Sequence, residues 1–213
     1  MSKYEMLTKD VLTEVERILY ELDVALENDK TSFVNSYKKQ VFSLFDALNN
    51  QQNTSDKQQS DNTDNTINDI GTIMFMLSRI NIENGLLAYK VKIYGYKIYV
   101  DNYDFNFSFD VSNVLKYFAE TKKKLTANLK NYLGIIEPCN ISAEINRYIP
   151  YFNMYIVNLL RDVFDDEETQ KAMQKIKTFE DFYVIQSEIY EKPYLLYHSS
   201  NKILRAESGK RIV

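Results

Sequence analysis

From Leu7 onward, apolar residues recur at Leu7, Val11, Val15, Ile18, Leu22 and Leu26, steps of three and four that gather on one side of an α-helix. After a polar turn at Asn28-Asp29-Lys30 the same spacing resumes at Phe33, Tyr37, Val41, Leu44, Phe45 and Leu48, with Ser32 placed to cap it. The two segments predict a tethered antiparallel helical hairpin over residues 1–48. Residues 49–66 contain no apolar side chain. Such a stretch cannot bury enough surface to offset the entropy of ordering it, and it is expected to be a flexible polar linker. Two helices cannot make a stable core alone, so the faces Leu7-Val11-Val15-Ile18-Leu22 and Phe33-Tyr37-Val41-Leu44-Leu48 must be covered by the rest of the chain, a second copy or a partner. They form a candidate interaction face.

The body, residues 67–199, opens with Ile67, Ile70, Met74, Leu77 and Ile80, which fit a helix ending near Asn84-Gly85. The pattern then alternates: Tyr96, Ile98 and Val100 on one side of an extended chain, followed by Tyr103, Phe105, Phe107 and Phe109. This predicts a small antiparallel β-hairpin near 89–109. A two-residue turn at Asp101-Asn102 would pair Val100 with Tyr103, Ile98 with Phe105 and Tyr96 with Phe107. Leu87, Val91, Tyr94 and Ile98 also fit helical spacing, so a helix is the competing assignment. Further helices are expected over 111–133, closed by Gly134, and over 142–164, where Pro150 must kink the helix or begin a new one. Shorter ones follow at 166–177 and 179–191, and the tail 200–213 is expected to be loosely ordered. The fold class is therefore mainly α: a helical bundle-like body with a small antiparallel β-hairpin, preceded by a tethered helical hairpin.

Composition supports long helices, since only 5 Gly and 3 Pro interrupt 213 residues. A net charge of −4 supplies no global positive field to gather nucleic acid or an anionic bilayer, so any such binding needs a local patch. The lone Cys139 excludes an intrachain disulfide and a cysteine-based zinc site and fits a reducing compartment. The N-terminal residues lack the apolar core of a secretory signal. The most apolar stretch, 148–164, is broken by Asn153, Asn158, Arg161 and Asp162, short of the roughly 20 apolar residues of a membrane span. A soluble, cytoplasmic chain with no membrane partner is expected.

Chemistry is sparse. There is neither a Walker pattern nor a GxGxxG, and no cofactor is assigned. His198 has no partner at metal-ligand spacing and is read as an exposed or capping residue. Asp162, Asp165, Asp166, Glu167 and Glu168 could hold a hard cation, but acidic residues also belong at a helix N-terminus, where this cluster falls, and no metal site is assigned. Lys90, Lys92, Tyr94, Lys97 and Tyr99, with Lys122, Lys123, Lys124 and Lys130 further on, combine phosphate-neutralising and base-stacking groups and form a candidate nucleic-acid patch. Lysine is equally the usual residue of a solvated strand or helix face.

The chain is accordingly read as a non-enzymatic intracellular protein-interaction or regulatory protein whose partner is another protein or a second copy of itself. One alternative is a nucleic-acid binder using the Lys/Tyr patch. A second is an enzyme whose site is assembled from distant residues. An enzyme should show converging titratable groups in a polar pocket, and a binding module an exposed apolar patch.

Overall fold

The computed structural model describes residues 2–55, 67, 69–128, 135–188 and 192–199. The elements run α1 (Lys3–Ser55), β1 (Ile70–Leu77), α2 (Arg79–Glu83), β2 (Ala88–Tyr94), β3 (Asn102–Asp110), α3 (Ser112–Ala127), α4 (Pro138–Asn146), α5 (Ile149–Asp165), α6 (Glu167–Met173), β4 (Thr178–Glu188) and β5 (Tyr194–His198). They divide between two compact units. Counting described residues only, the first comprises those of Met1–Phe33, Arg79–Leu87 and Val111–Asn158, and the second those of Val34–Ser78, Ala88–Asp110 and Leu159–Val213.

α1 opens with a reciprocal cap: the Ser2 N–H donates to Glu5 Oε2 (2.6 Å) and the Glu5 N–H to Ser2 Oγ (3.2 Å), satisfying two amides that have no helical acceptor. Asp29 leaves helical geometry (φ −149°, ψ 46°), and its Oδ1 accepts the Ser32 N–H at 3.2 Å. Asp29, rather than Ser32, therefore caps the second arm. Helix continues through 49–55, into the stretch expected to be linker, where Gln52 exchanges two 2.9 Å hydrogen bonds with the Lys177 backbone. Residues 56–66, Lys130, Gly134 and the tail 200–213 lie outside the described residues.

The first unit is helical. Leu7, Val11, Val15, Ile18 and Leu22 are buried in it, as are Leu115 and Phe118 of α3, Ile141 and Ile145 of α4, and Phe152 and Ile156 of α5. Glu14 pairs with Lys124 (2.7 Å), the Tyr155 hydroxyl donates to Asp23 (2.6 Å), and Phe118 meets Phe152 edge-on at 5.6 Å. Pro150 stands in the first turn of α5, so the expected 142–164 helix is two helices, with the proline where its missing amide costs nothing.

The second unit corrects the expected fold class. It holds a five-stranded mixed sheet, ordered β3-β2-β1-β4-β5, in which β1 and β4 are parallel and every other pair is antiparallel. The chain is a helix-rich mixed α/β protein, not a bundle-like body with one small antiparallel hairpin; residues 3–33 of α1 belong to the first unit and residues 34–55 to the second.

β1 was expected to be helical because it is buried on both faces. Such a central strand loses its alternation, and Ile70, Met74 and Leu77 then mimic helical spacing. β4, at 178–188, is likewise a strand where a helix was expected.

The hairpin exists in another register. Tyr89 pairs with Phe109, Val91 with Phe107 and Ile93 with Tyr103, so 95–101 is a loop, and the pairs expected of Val100, Ile98 and Tyr96 do not form.

One face of the sheet carries the main core. Phe75 meets Phe109 at 5.0 Å and Phe164 at 6.1 Å, Tyr37 meets Phe109 at 5.3 Å, and Phe45 meets Phe164 at 6.4 Å. These contacts seat the second arm of α1 and the end of α5 on that face. The opposite face carries a smaller cluster of Met74, Tyr94 and Ile185, with Met76 and Tyr183 packed against it.

Both sheet edges are engaged by side chains. The Gln40 amide accepts from the Asp110 N–H (2.7 Å) and donates to the Asp110 carbonyl (3.0 Å) on β3, and the Arg161 guanidinium donates to the Leu195 carbonyl (3.2 Å) on β5. Occupying edge groups in this way blunts strand addition by another chain.

Candidate functional site

The residues expected to form an interaction face, Leu7, Val11, Val15, Ile18, Leu22, Tyr37, Val41, Leu44 and Leu48, are buried within the single chain, with Phe33 partly so. They are core, and their apolar spacing reported burial rather than a partner.

The lysine patch is divided. Lys90, Lys92, Tyr94 and Lys97 share β2 and its following loop, whereas Lys122, Lys123 and Lys124 belong to the first unit, where Lys124 is bound by Glu14. The Tyr94 ring is only 5% exposed, sealed by Met74, Ile185 and an edge-on contact with Tyr99 at 5.7 Å. It offers no face on which a base could stack.

What the structure presents instead is the loop 95–101. Three backbone bonds fold it on itself: the Gly95 N–H donates to the Asp101 carbonyl (2.8 Å), and the Val100 and Asp101 N–H groups donate to the Lys97 carbonyl (3.2 and 3.0 Å). The Asp101 carboxylate also accepts the Lys97 N–H at 2.8 Å. Tyr99 is held at φ 66°, a left-handed conformation that is costly for a bulky residue and persists only where its surroundings enforce it.

The loop is seated as well as folded. The Tyr96 ring stands edge-on to Phe179 of β4 at 5.9 Å. A Cβ on Gly71 of β1 would lie 2.1 Å from the Gly95 carbonyl oxygen, so only glycine allows the loop to settle there. Thus fixed, the loop leaves Tyr96, Tyr99 and Val100 exposed to 76%, 64% and 73%, with Ile98 exposed beside them. Four large apolar side chains on one rigid loop differ from the scattered exposed residues normal on any surface.

Sequence reasoning named Lys97 and Tyr99 but not Tyr96, Ile98 and Val100, because alternation placed those three on a paired strand.

Two further features compete. Tyr37, Tyr89 and Gln186 are fully buried and Glu188 nearly so, at the end of the sheet where the parallel strands β1 and β4 terminate. Burial holds the Tyr89 hydroxyl well above the usual tyrosine range, and the nearby Tyr37 and Glu188 add to the effect. Separately, a cleft of about 310 Å³ opens between α1 and α6, with Phe42, Phe45 and Asp46 facing Lys171 and Lys175. Lys38 ties the same two helices, lying 2.8 Å from Asp166 and 2.7 Å from Glu168. Asp166 caps α6 by accepting the Thr169 N–H at 2.9 Å, so this acidic cluster serves a helix N-terminus.

Among the described residues, no helix is long and apolar enough to cross a membrane. Comparison with protein-family models, with curated proteins and with solved structures finds no match.

Proposed function

We propose that this chain is a non-catalytic protein-interaction or regulatory module of the cytoplasm, and that it contacts its partner through the loop 95–101. The observation that carries the proposal is the exposure of Tyr96, Tyr99 and Val100 on a loop whose backbone is fully organised. Large, stiff side chains presented without further ordering lose little entropy on binding, which is the character of an interface anchor. A chain with one cysteine has no disulfide to lose in a reducing compartment.

The test is site-directed photo-crosslinking in cells, with a photoreactive amino acid at position 100 and, as control, at position 20, where Tyr20 is equally exposed in the first unit. A discrete heavier adduct from position 100 alone is expected, and a mass of two chains identifies a second copy as the partner. Identical patterns from both positions would refute the proposal.

The buried group of Tyr37, Tyr89 and Glu188 favours a second reading, an enzyme. Its test is a thermal-shift screen of small metabolites. A ligand that stabilises the wild type and not a folded Glu188→Gln variant would show a small-molecule site there, and conversion of that ligand on incubation with the wild type alone would support the enzyme reading.

A further inference from the structure

The cleft between α1 and α6, within the second unit, brings charge of both signs to an apolar surface. Phe42, Phe45 and Ala172 supply the apolar lining. Phe45 is buried and meets Phe164 of the core at 6.4 Å, so that lining is fixed. The charges stand on opposite walls: Asp46 on α1, and Lys171 and Lys175, four residues apart, on α6 and the turn that follows it. Glu168 lines the cleft as well, but Lys38 engages it at 2.7 Å while also holding Asp166 at 2.8 Å. Lys171 meets Glu167 at 3.8 Å, a contact between largely exposed groups that is weak in water. Among the described residues, Asp46 and Lys175 have no ion-pair partner. Lys38, Lys171 and Lys175 thus accompany Asp46, Asp166, Glu167 and Glu168 in this neighbourhood, and neither sign prevails.

We infer that the cleft binds a free amino acid with a large apolar side chain. Its carboxylate meets Lys175 and Lys171, its ammonium meets Asp46, and its side chain lies against Phe42 and Phe45. A ligand with only a negative charge would bring that charge beside Asp46, and one with only a positive charge would bring it beside the lysines. An uncharged apolar ligand would cover both walls without pairing either. A volume of about 310 Å³ is at the lower limit of ligand sites, which suits one amino acid rather than a peptide. The assignment goes beyond the loop 95–101 and is independent of it.

The experiment is titration of the isotope-labelled full chain with L-phenylalanine and with L-leucine, followed by amide NMR. Three analogues of L-phenylalanine accompany them: hydrocinnamate lacks the ammonium, phenethylamine lacks the carboxylate and glycine lacks the side chain. L-Phenylalanine is expected to shift the amides of Asp46, Asn49, Lys171 and Lys175, and to bind about tenfold more tightly than each analogue. Asp46→Asn and Lys175→Ala alter exposed side chains, so both variants retain the fold, which the same spectra check. Each should weaken L-phenylalanine about tenfold, while Asp46→Asn leaves hydrocinnamate, and Lys175→Ala leaves phenethylamine, bound no more weakly than before.

Hydrocinnamate or phenethylamine binding as tightly as L-phenylalanine overturns the inference, a comparison that needs no variant. So does amino-acid binding that neither substitution weakens. Unshifted cleft amides at about 10 mM of both L-phenylalanine and L-leucine overturn it as well.

Discussion

Gly71→Ala is the substitution that probes the loop most directly, because it adds one carbon where two backbones touch. The new Cβ would stand 2.1 Å from the Gly95 carbonyl oxygen and 2.9 Å from its carbon. Ordinary contact begins near 3.4 Å, so the two chains must part by about 1.3 Å (3.4 less 2.1). β1 is held from Thr72 onward by β2 on one side and β4 on the other, with Gly71 at the irregularity between Ile70 and Thr72, and residues 95–101, which are paired with no strand, are the side expected to give. The loop must therefore move, at the expense of the Gly95 to Asp101 and Lys97 to Asp101 bonds. At about 1 kcal/mol for each hydrogen bond, with some loss of packing, the cost is about 2–3 kcal/mol. Alanine's smaller unfolded-state entropy returns about 0.5–1 kcal/mol, leaving a net loss of about 1–2.5 kcal/mol.

The control is Gly85→Ala, at φ +81° with nothing within 4 Å, where the left-handed backbone alone should cost about 1 kcal/mol. Urea denaturation gives the stabilities, and hydrogen exchange at the amides of Gly95, Lys97, Val100 and Asp101 locates the damage. Gly71→Ala should accelerate exchange at those amides and Gly85→Ala should not. A Gly71→Ala chain as stable as the wild type, with loop amides equally protected, would refute the argument that the contact organises the loop.

Glu14 offers a pH test: burial acts to raise its carboxyl, but hydrogen bonds from Arg17 and Lys124 outweigh this and hold it below the usual range. A carboxyl lowered on folding stabilises above its unfolded value and loses that contribution as pH falls through its folded value, so Lys124→Ala should flatten the acid side of a melting-temperature profile. Phe109→Ala removes a ring in edge contact with both Tyr37 and Phe75 and should cost about 3–5 kcal/mol in chemical denaturation. Ile18→Asp and Leu44→Asp each bury a charge in a fully enclosed site and should each cost several kcal/mol, roughly 3 or more, visible as loss of cooperative unfolding. Asp166→Ala removes the α6 cap and a Lys38 partner and should lower stability by about 1 kcal/mol in the same assay.

Periodicity alone determined the amphipathic faces of α1: Leu7 to Leu22 and Tyr37 to Leu48 are buried as their spacing requires, because a helix one side of which meets a core must repeat every three to four residues. It also placed α3 and the acidic start of α6, whose signals lie within a few residues of one another, while leaving open whether Pro150 kinks a helix or begins one.

The sheet was decided by tertiary structure. β1 and β4 are neighbours, yet lie about a hundred residues apart in the chain, and their burial on both faces erases the alternation that marks a half-buried strand. The hairpin register was decided the same way. Val91 and Ile93 have partners on both sides in β1 and β3, whereas Tyr96, Ile98 and Val100 would have had partners on one side only, so the pairing moved toward the middle of the sheet. That shift turned three expected strand residues into an exposed loop.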